Sequence, residues 1–313
     1  MRVLLLGATG QLGWELMGLL PAFADVIAPA RAEAPLDDLD RLRACVRAAR
    51  PAVIVNAAAW TDVDGAEADE AGAMRANRDA VALLGGEAAA LRAALVHFST
   101  DFVFDGERGA PYREDDAPNP LGAYGRSKLA GERALVDEDA PALVLRTAWV
   151  YSVRARSFVS AILGAARKRP ELRVVSDQIG HPTFARDLAA ATALILRGIQ
   201  PHPFESARDA RGIYHAAAAG ACSRFELAEA AIALDPRTAE HVVERVVPVT
   251  SAEYPLPARR PREVILDGRK LRERFGLTLP PWRDGLRRAL ADLALFDPSG
   301  PQRSKSDPSP THK

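Results

Sequence analysis

The strongest constraint on the fold is a glycine triplet spaced by threes, Gly7-Ala8-Thr9-Gly10-Gln11-Leu12-Gly13, directly after the short apolar run at residues 2–6. A helical pattern follows through residue 20. A first strand that ends in glycines and reopens as a helix suits a phosphate-binding turn. Glycines allow the tight bend and the close backbone approach, and the helix N-terminus attracts a pyrophosphate. The spacing differs from the G-x-G-x-x-G of typical dehydrogenases and lacks the Lys-Ser/Thr of a P-loop. Glycines that only make a turn are the plain alternative. The position after the first strand favours a dinucleotide, with Gly7, Gly10, Gln11, Leu12 and Gly13 as its contacts.

The rest of the first half keeps a regular rhythm. Strands are expected at residues 26–28, 52–56, 95–99 and 143–146, with helices at 39–49, 77–92 and 122–136. Strands that alternate with helices, each a continuous apolar run, indicate a parallel sheet covered on both faces. The expected class is α/β, a Rossmann-type doubly wound sheet with its ligand at the carboxyl ends of the strands. After about residue 150 the rhythm loosens into helical segments near 156–168, 186–197 and 224–234, with an amphipathic helix at 283–295. Residues 212–215 read as a further strand that returns to the sheet. The expected division is a nucleotide-binding part, 1–150, a smaller and mainly substrate-binding α/β part, 151–296, and a disordered tail, 297–313, rich in Pro and Ser.

Charge excludes some classes. Lys plus Arg is 41 and Asp plus Glu is 41, so no global field points to nucleic acid or an anionic membrane. Cys45 and Cys222 lie far apart in Ala-rich, helix-like segments and suggest reduced thiols. The first apolar run is broken by Gly7, too early for a signal peptide, and no stretch reaches the roughly 18 apolar residues of a membrane span. A cytoplasmic protein, monomer or homodimer, with a small-molecule substrate is the expectation. The six histidines show no ligand spacing. Gly125-Arg126-Ser127-Lys128-Leu129 lacks the last glycine of a nucleophile elbow. Metalloenzyme and hydrolase readings fall away.

Tyr124 and Lys128, four apart on an expected helix, share one face. A nearby cation favours the phenolate and pulls a tyrosine pKa down from about 10. Such a phenol serves as general acid on a carbonyl that is being reduced; an exposed surface pair is the alternative. At the end of the second strand a dinucleotide domain selects its cofactor, and Pro29-Ala30-Arg31 offers no acid there. Arg31 therefore favours NADPH over NADH, unless it is simply a solvated surface arginine.

Several segments carry a resemblance: Gly7 to Gly13, Asn56-Ala57-Ala58-Ala59-Trp60-Thr61-Asp62-Val63-Asp64, and Ser99-Thr100-Asp101-Phe102-Val103-Phe104-Asp105-Gly106. The series continues with Tyr124-Gly125-Arg126-Ser127-Lys128-Leu129-Ala130-Gly131-Glu132, Arg146-Thr147-Ala148-Trp149-Val150-Tyr151, Asp177 to Thr183, and Pro257-Ala258-Arg259-Arg260-Pro261. In this order they resemble the extended short-chain dehydrogenase/reductase family, and within it the dTDP-4-dehydrorhamnose reductases. The resemblance implies NADPH-dependent reduction of the 4-keto group of dTDP-4-dehydro-L-rhamnose to dTDP-L-rhamnose. It gives Tyr124 the proton donor's role and Lys128 that of its cation, which also holds the ribose hydroxyls. Thr100 would bond the same substrate oxygen. Ser99 is its rival, since successive strand residues point to opposite faces.

By the same resemblance Ala58, Ala59 and Thr61 line the dinucleotide, while Trp149 and Asp101 meet the sugar. A core tryptophan and a loop-ordering aspartate are the alternatives. Arg259 and Arg260 would fork onto the nucleotide diphosphate; a solvated pair is again the alternative. Some family members are dimers bridged by a metal held through glutamates. Glu15 is present here, but Phe184-Ala185-Arg186-Asp187 carries an arginine where another glutamate is expected, so no metal is assigned. Two other readings stay open. One is a different nucleotide-linked 4-keto-sugar reductase or an epimerase that keeps its NAD bound. The other is a non-catalytic NADP-binding regulatory subunit, whose expected sign, loss of Tyr or Lys at these positions, is not present.

Overall fold

A computed structural model describes residues 1–154 and 157–295; the tail expected at 297–313 lies outside the described residues. The chain enters as β1 (Arg2–Leu6), α1 (Gln11–Leu19) and β2 (Asp25–Ile27). It continues through α2 (Leu39–Ala49), β3 (Val53–Asn56), two short helices α3 (Gly65–Ala68) and α4 (Glu70–Met74), and α5 (Ala80–Leu91). Next come β4 (Ala94–Thr100), α6 (Ala123–Asp137), β5 (Ala142–Thr147), α7 (Phe158–Ala166), β6 (Glu171–Val175) and β7 (Ile179–Gly180). Then follow α8 (Ala185–Gly198), α9 (Pro203–Asp209), β8 (Gly212–His215), β9 (Cys222–Ser223) and α10 (Arg224–Leu234). β10 (Arg245–Val249), α11 (Arg269–Phe275) and α12 (Trp282–Leu295) complete it.

Six strands form one parallel sheet in the order β2-β1-β3-β4-β5-β8. The chain moves outward from β1 to β2 and then crosses back to β3 on the other side. The switch between β1 and β3 opens a crevice at their carboxyl ends, where doubly wound sheets bind ligands. Alternate residues of each strand feed two cores. Val3, Leu5, Val53 and Val96 pack under α1 and α8, while Leu4, Ile54 and Leu95 pack under α2 and α5. Both faces are covered, which is why the strands read as unbroken apolar runs.

The helix expected at 77–92 starts earlier, as α4, and passes through a π-helical turn at Arg75–Asp79 before α5. Its start lacks an apolar period; Asp69 caps it by accepting from Gly72 N at 2.8 Å. The second half holds a two-stranded parallel sheet of β6 and β10 that the sequence did not disclose. α7, α10 and α12 pack together around Val159, Leu163, Leu227 and Leu286. α6 is fixed to the sheet by a buried, two-pronged ion pair, Arg146 Nε to Glu132 Oε1 at 2.9 Å and Nη2 to Oε2 at 2.7 Å. Among the described residues no helix is long and apolar enough to cross a membrane.

Candidate active site

A cleft of about 880 Å³ lies over the carboxyl ends of β1, β3, β4 and β5. Its floor begins at Gly7, whose φ of +79° belongs to the left-handed region and whose Cβ, if present, would lie 2.7 Å from Ala58 N. Gly10 caps α1 with no side chain, so the first-turn N–H groups are free for an anion. Gly10 lines the cleft together with Gln11 and Leu12. Gln11 Oε1 is buried and has no hydrogen-bond partner among the described residues. Gly13, expected among the cofactor contacts, is not on the cleft wall. A Cβ there would lie 2.0 Å from Gly7 O, so this glycine seats α1 against the loop. Ala58, Ala59 and Thr61 line the same wall, and Arg31 stands exposed at the cleft beyond β2. A left-handed glycine, an uncapped helix and small side chains across from them fit a dinucleotide.

The π-helical turn aims Asn77 inward. Its amide reads the backbone of Trp60 in both directions, accepting from Trp60 N at 2.9 Å and donating to Trp60 O at 3.1 Å. The same NH2 group donates to Ser127 Oγ at 2.9 Å. Glu67 then caps α6 from a distance, its Oε1 accepting from Ala123 N at 2.7 Å. These ties set the helix that carries Tyr124 and Lys128 against the segment that carries Ala58 and Thr61. Gly125 lets α6 close further, since a Cβ there would lie 2.3 Å from Phe102 O.

Tyr124 faces the cleft beside Thr100, with Phe102 edge-on to its ring at 5.8 Å. Burial pushes its phenol up to about 12, the polar Thr100 hydroxyl beside it opposes this, and the Asp101 carboxylate adds to it. The expectation that Lys128 lowers the Tyr124 pKa is therefore corrected. The Lys128 ammonium is turned to the strand beneath, donating to Phe98 O at 2.7 Å and lying 3.2 Å from His97 Nε2. Burial brings its own pKa down to about 8, against the pull of Glu132. His97 is held well below the ordinary imidazole value by burial and by Lys128.

Thr100 and Ser99 both reach the cleft wall, contrary to strict alternation, because β4 ends here and turns into a 3-10 turn, Asp101–Val103. The hydroxyl that meets Tyr124 is that of Thr100. It also accepts from Phe102 N at 3.2 Å and donates to Asp101 Oδ1 at 3.1 Å. Ser99 Oγ is buried without a hydrogen-bond partner among the described residues. Asp101 is buried, and burial raises its pKa to about 7.

Trp149 packs against two apolar clusters and also reaches the cleft. It is partly buried on the cleft wall and holds a left-handed φ of +45°, a conformation that large side chains rarely adopt. The Arg259–Arg260 pair departs from expectation, since neither lines the cleft. Arg260 is committed to Asp64, with Nη1 to Oδ1 at 3.1 Å and Nη2 to Oδ2 at 2.7 Å, and its charge holds the Asp64 carboxyl below the usual range. Arg259 is exposed. Arg186 donates to Glu15 Oε2 at 2.9 Å and pairs with Asp292 Oδ2 at 2.7 Å. Among the described residues no group of three or more His, Cys, Asp or Glu is placed to hold a metal. Two residues that shape the site escaped the sequence, Asn77, buried behind the cleft, and Arg224 on its wall. The box of Ser223 and Glu226 announces a helix start at Arg224, but nothing local says that it faces a cleft.

Residues 1–295 match the family model described as the RmlD substrate binding domain. The dTDP-4-dehydrorhamnose reductase of Burkholderia thailandensis is 40% identical over 296 residues, 94% of this chain and 99% of that protein. Its counterpart in Escherichia coli is 37% identical over 299 residues, 94% of this chain and 98% of that protein. A crystal structure of the Bacillus anthracis dTDP-4-dehydrorhamnose reductase in complex with NADP aligns with a TM-score of 0.83 at 31% identity, covering 93% of this chain and 99% of that one. Matched along nearly its whole described length, the chain belongs to the dTDP-4-dehydrorhamnose reductase family.

Proposed function

We propose that this chain uses NADPH to reduce the 4-keto group of dTDP-4-dehydro-L-rhamnose, giving dTDP-L-rhamnose. The observation that carries the reading is a single cleft in which the glycine loop and the group Thr100, Tyr124 and Lys128 share one space. Its relatives bear the name of that reductase, and one was solved with NADP.

Bound NADPH supplies a hydride to the carbonyl carbon. Tyr124 delivers the proton. With its pKa near 12 the phenol is fully protonated at neutral pH, and the alkoxide that develops on the sugar is far more basic than a phenolate. The Thr100 hydroxyl lies beside the same phenol, where it orients the substrate oxygen and, by turning its one proton from Asp101 to Tyr124, stabilises the phenolate left behind. Lys128 commits two of its ammonium contacts to β4 and keeps the third donor for the cleft, where ribose hydroxyls are its natural acceptors. Asp101 and Trp149 are assigned to the sugar and Arg31 to the 2'-phosphate. Ala58, Ala59 and Thr61, with the loop from Gly7 to Leu12, hold the dinucleotide.

The test is nicotinamide absorbance with the purified protein, the dTDP-linked 4-keto-6-deoxy sugar, and NADPH or NADH in turn. Sugar-dependent oxidation of NADPH with release of dTDP-L-rhamnose is expected. Protein that purifies with tightly held NAD and oxidises no external NADPH would replace this reading with the epimerase one.

A further inference from the structure

Arg224 is the first residue of α10 and carries its guanidinium onto the cleft wall. The guanidinium carbon lies 3.5 Å from the Trp149 ring centroid and 5.0 Å from that of Phe158. Among the described residues the guanidinium has neither a hydrogen bond nor an ion pair. Arg126, Arg146 and Arg260, by contrast, each grip a carboxylate with two nitrogens. Burial brings the Arg224 pKa down to about 10 against the pull of Asp101, and Arg260 adds to the depression. Its place is unfavourable for a third reason, because a helix N-terminus carries partial positive charge and repels a cation. The aromatic face beneath and the nearby Asp101 carboxylate offset part of these costs, but neither gives the guanidinium a hydrogen-bond acceptor. A guanidinium left so short of partners calls for an anion from outside.

Its neighbours say which part of a ligand arrives there. Asp101, which accepts from the Thr100 hydroxyl beside Tyr124, attracts the Arg224 charge, and Arg260 is near enough to oppose it. Under the function proposed above, the carbonyl end of the sugar sits at Tyr124 and the diphosphate is attached to the far side of the same ring. We propose that Arg224, held flat on Trp149, binds the diphosphate of the nucleotide-sugar substrate. A planar fork matches two phosphate oxygens at once, and stacking fixes the direction in which the fork opens. Arg260 is not available for this work while Asp64 holds both of its arms. Trp149 thereby gains a second task, as the platform that sets the fork.

The test titrates dTDP, which has the diphosphate and no sugar, into NADP-saturated wild type, Arg224→Gln, Arg224→Lys and Arg260→Gln. Arg224→Gln is expected to weaken dTDP about tenfold or more, as loss of a charged hydrogen bond would. Arg224→Lys should fall between it and wild type, and NADPH affinity should stay within about twofold in all variants. Unchanged dTDP affinity in Arg224→Gln overturns the proposal, because a residue that only props Trp149 would affect the sugar and not dTDP. A larger loss from Arg260→Gln, or an equal loss of NADPH affinity in Arg224→Gln, overturns it as well. The inference rests on the proposed reaction but fails separately. A wild type that binds dTDP and reduces no 4-keto sugar refutes the reaction, while the dTDP titration still judges Arg224.

Discussion

Asn77 donates to Ser127 Oγ at 2.9 Å, which joins the π-helical turn to the helix that carries Tyr124. With its two bonds to the Trp60 backbone, this amide ties the cofactor wall to the catalytic helix. Asn77→Ala leaves the Trp60 backbone groups and the Ser127 hydroxyl short of partners, which costs about 1–3 kcal/mol for each buried group left unsatisfied. The expected outcome is a lower Tm together with a fall in kcat/KM larger than the fall in NADPH affinity. A variant with wild-type Tm and kinetics would show that the tie is dispensable.

Tyr124→Phe keeps the ring that Phe102 packs against and removes only the hydroxyl that supplies the proton. It should fold, bind NADPH as wild type does, and reduce substrate about 100-fold or more slowly. Full turnover in this variant would remove Tyr124 from the proton-donor role.

Arg31 lines the cleft just past the end of β2, in a turn where Ala30 N donates to Glu33 Oε2 at 2.6 Å. Arg31→Ala should weaken NADPH about tenfold while NADH changes little, since only the former brings a 2'-phosphate to a guanidinium. Equal effects on both cofactors would take Arg31 out of that site.

Lys128 makes stability depend on alkaline pH in a defined direction. Folded, it releases its proton near pH 8; unfolded, it keeps the proton to about 10.5. Between those values unfolding takes up a proton, so rising pH favours the folded state at this residue. The Tm of wild type relative to Lys128→Met should therefore climb from pH 8 to about 10 and be flat below pH 7. A difference that stays constant across this range would mean that the buried amine is not perturbed.

Legibility from sequence followed the range of each interaction. The loop from Gly7 to Gly13 was readable because its glycines, strand and helix are contiguous. Tyr124 and Lys128 were readable because four residues on a helix make a face. The electrostatic link drawn between them was wrong, since the partner of Lys128 is a backbone carbonyl of β4, which no side-chain pattern encodes. The pairing of Arg260 with Asp64 was invisible for a related reason: the two are 196 residues apart. β6 was missed because its strand partner β10 begins 74 residues later, and a two-stranded sheet leaves little periodic signal. Arg224 was passed over because an arginine after a helix cap looks like any solvated residue.

β8 pairs with β5 through residues 212–215, long after β5 itself has been made. On the ribosome, the edge of β5 therefore waits bare until some 70 further residues have emerged, at about 5–20 residues per second. For that interval Leu143 to Arg146 present unpaired backbone, a template for wrong partners. The latest strand of the sheet thus acts as a closing seal on that edge.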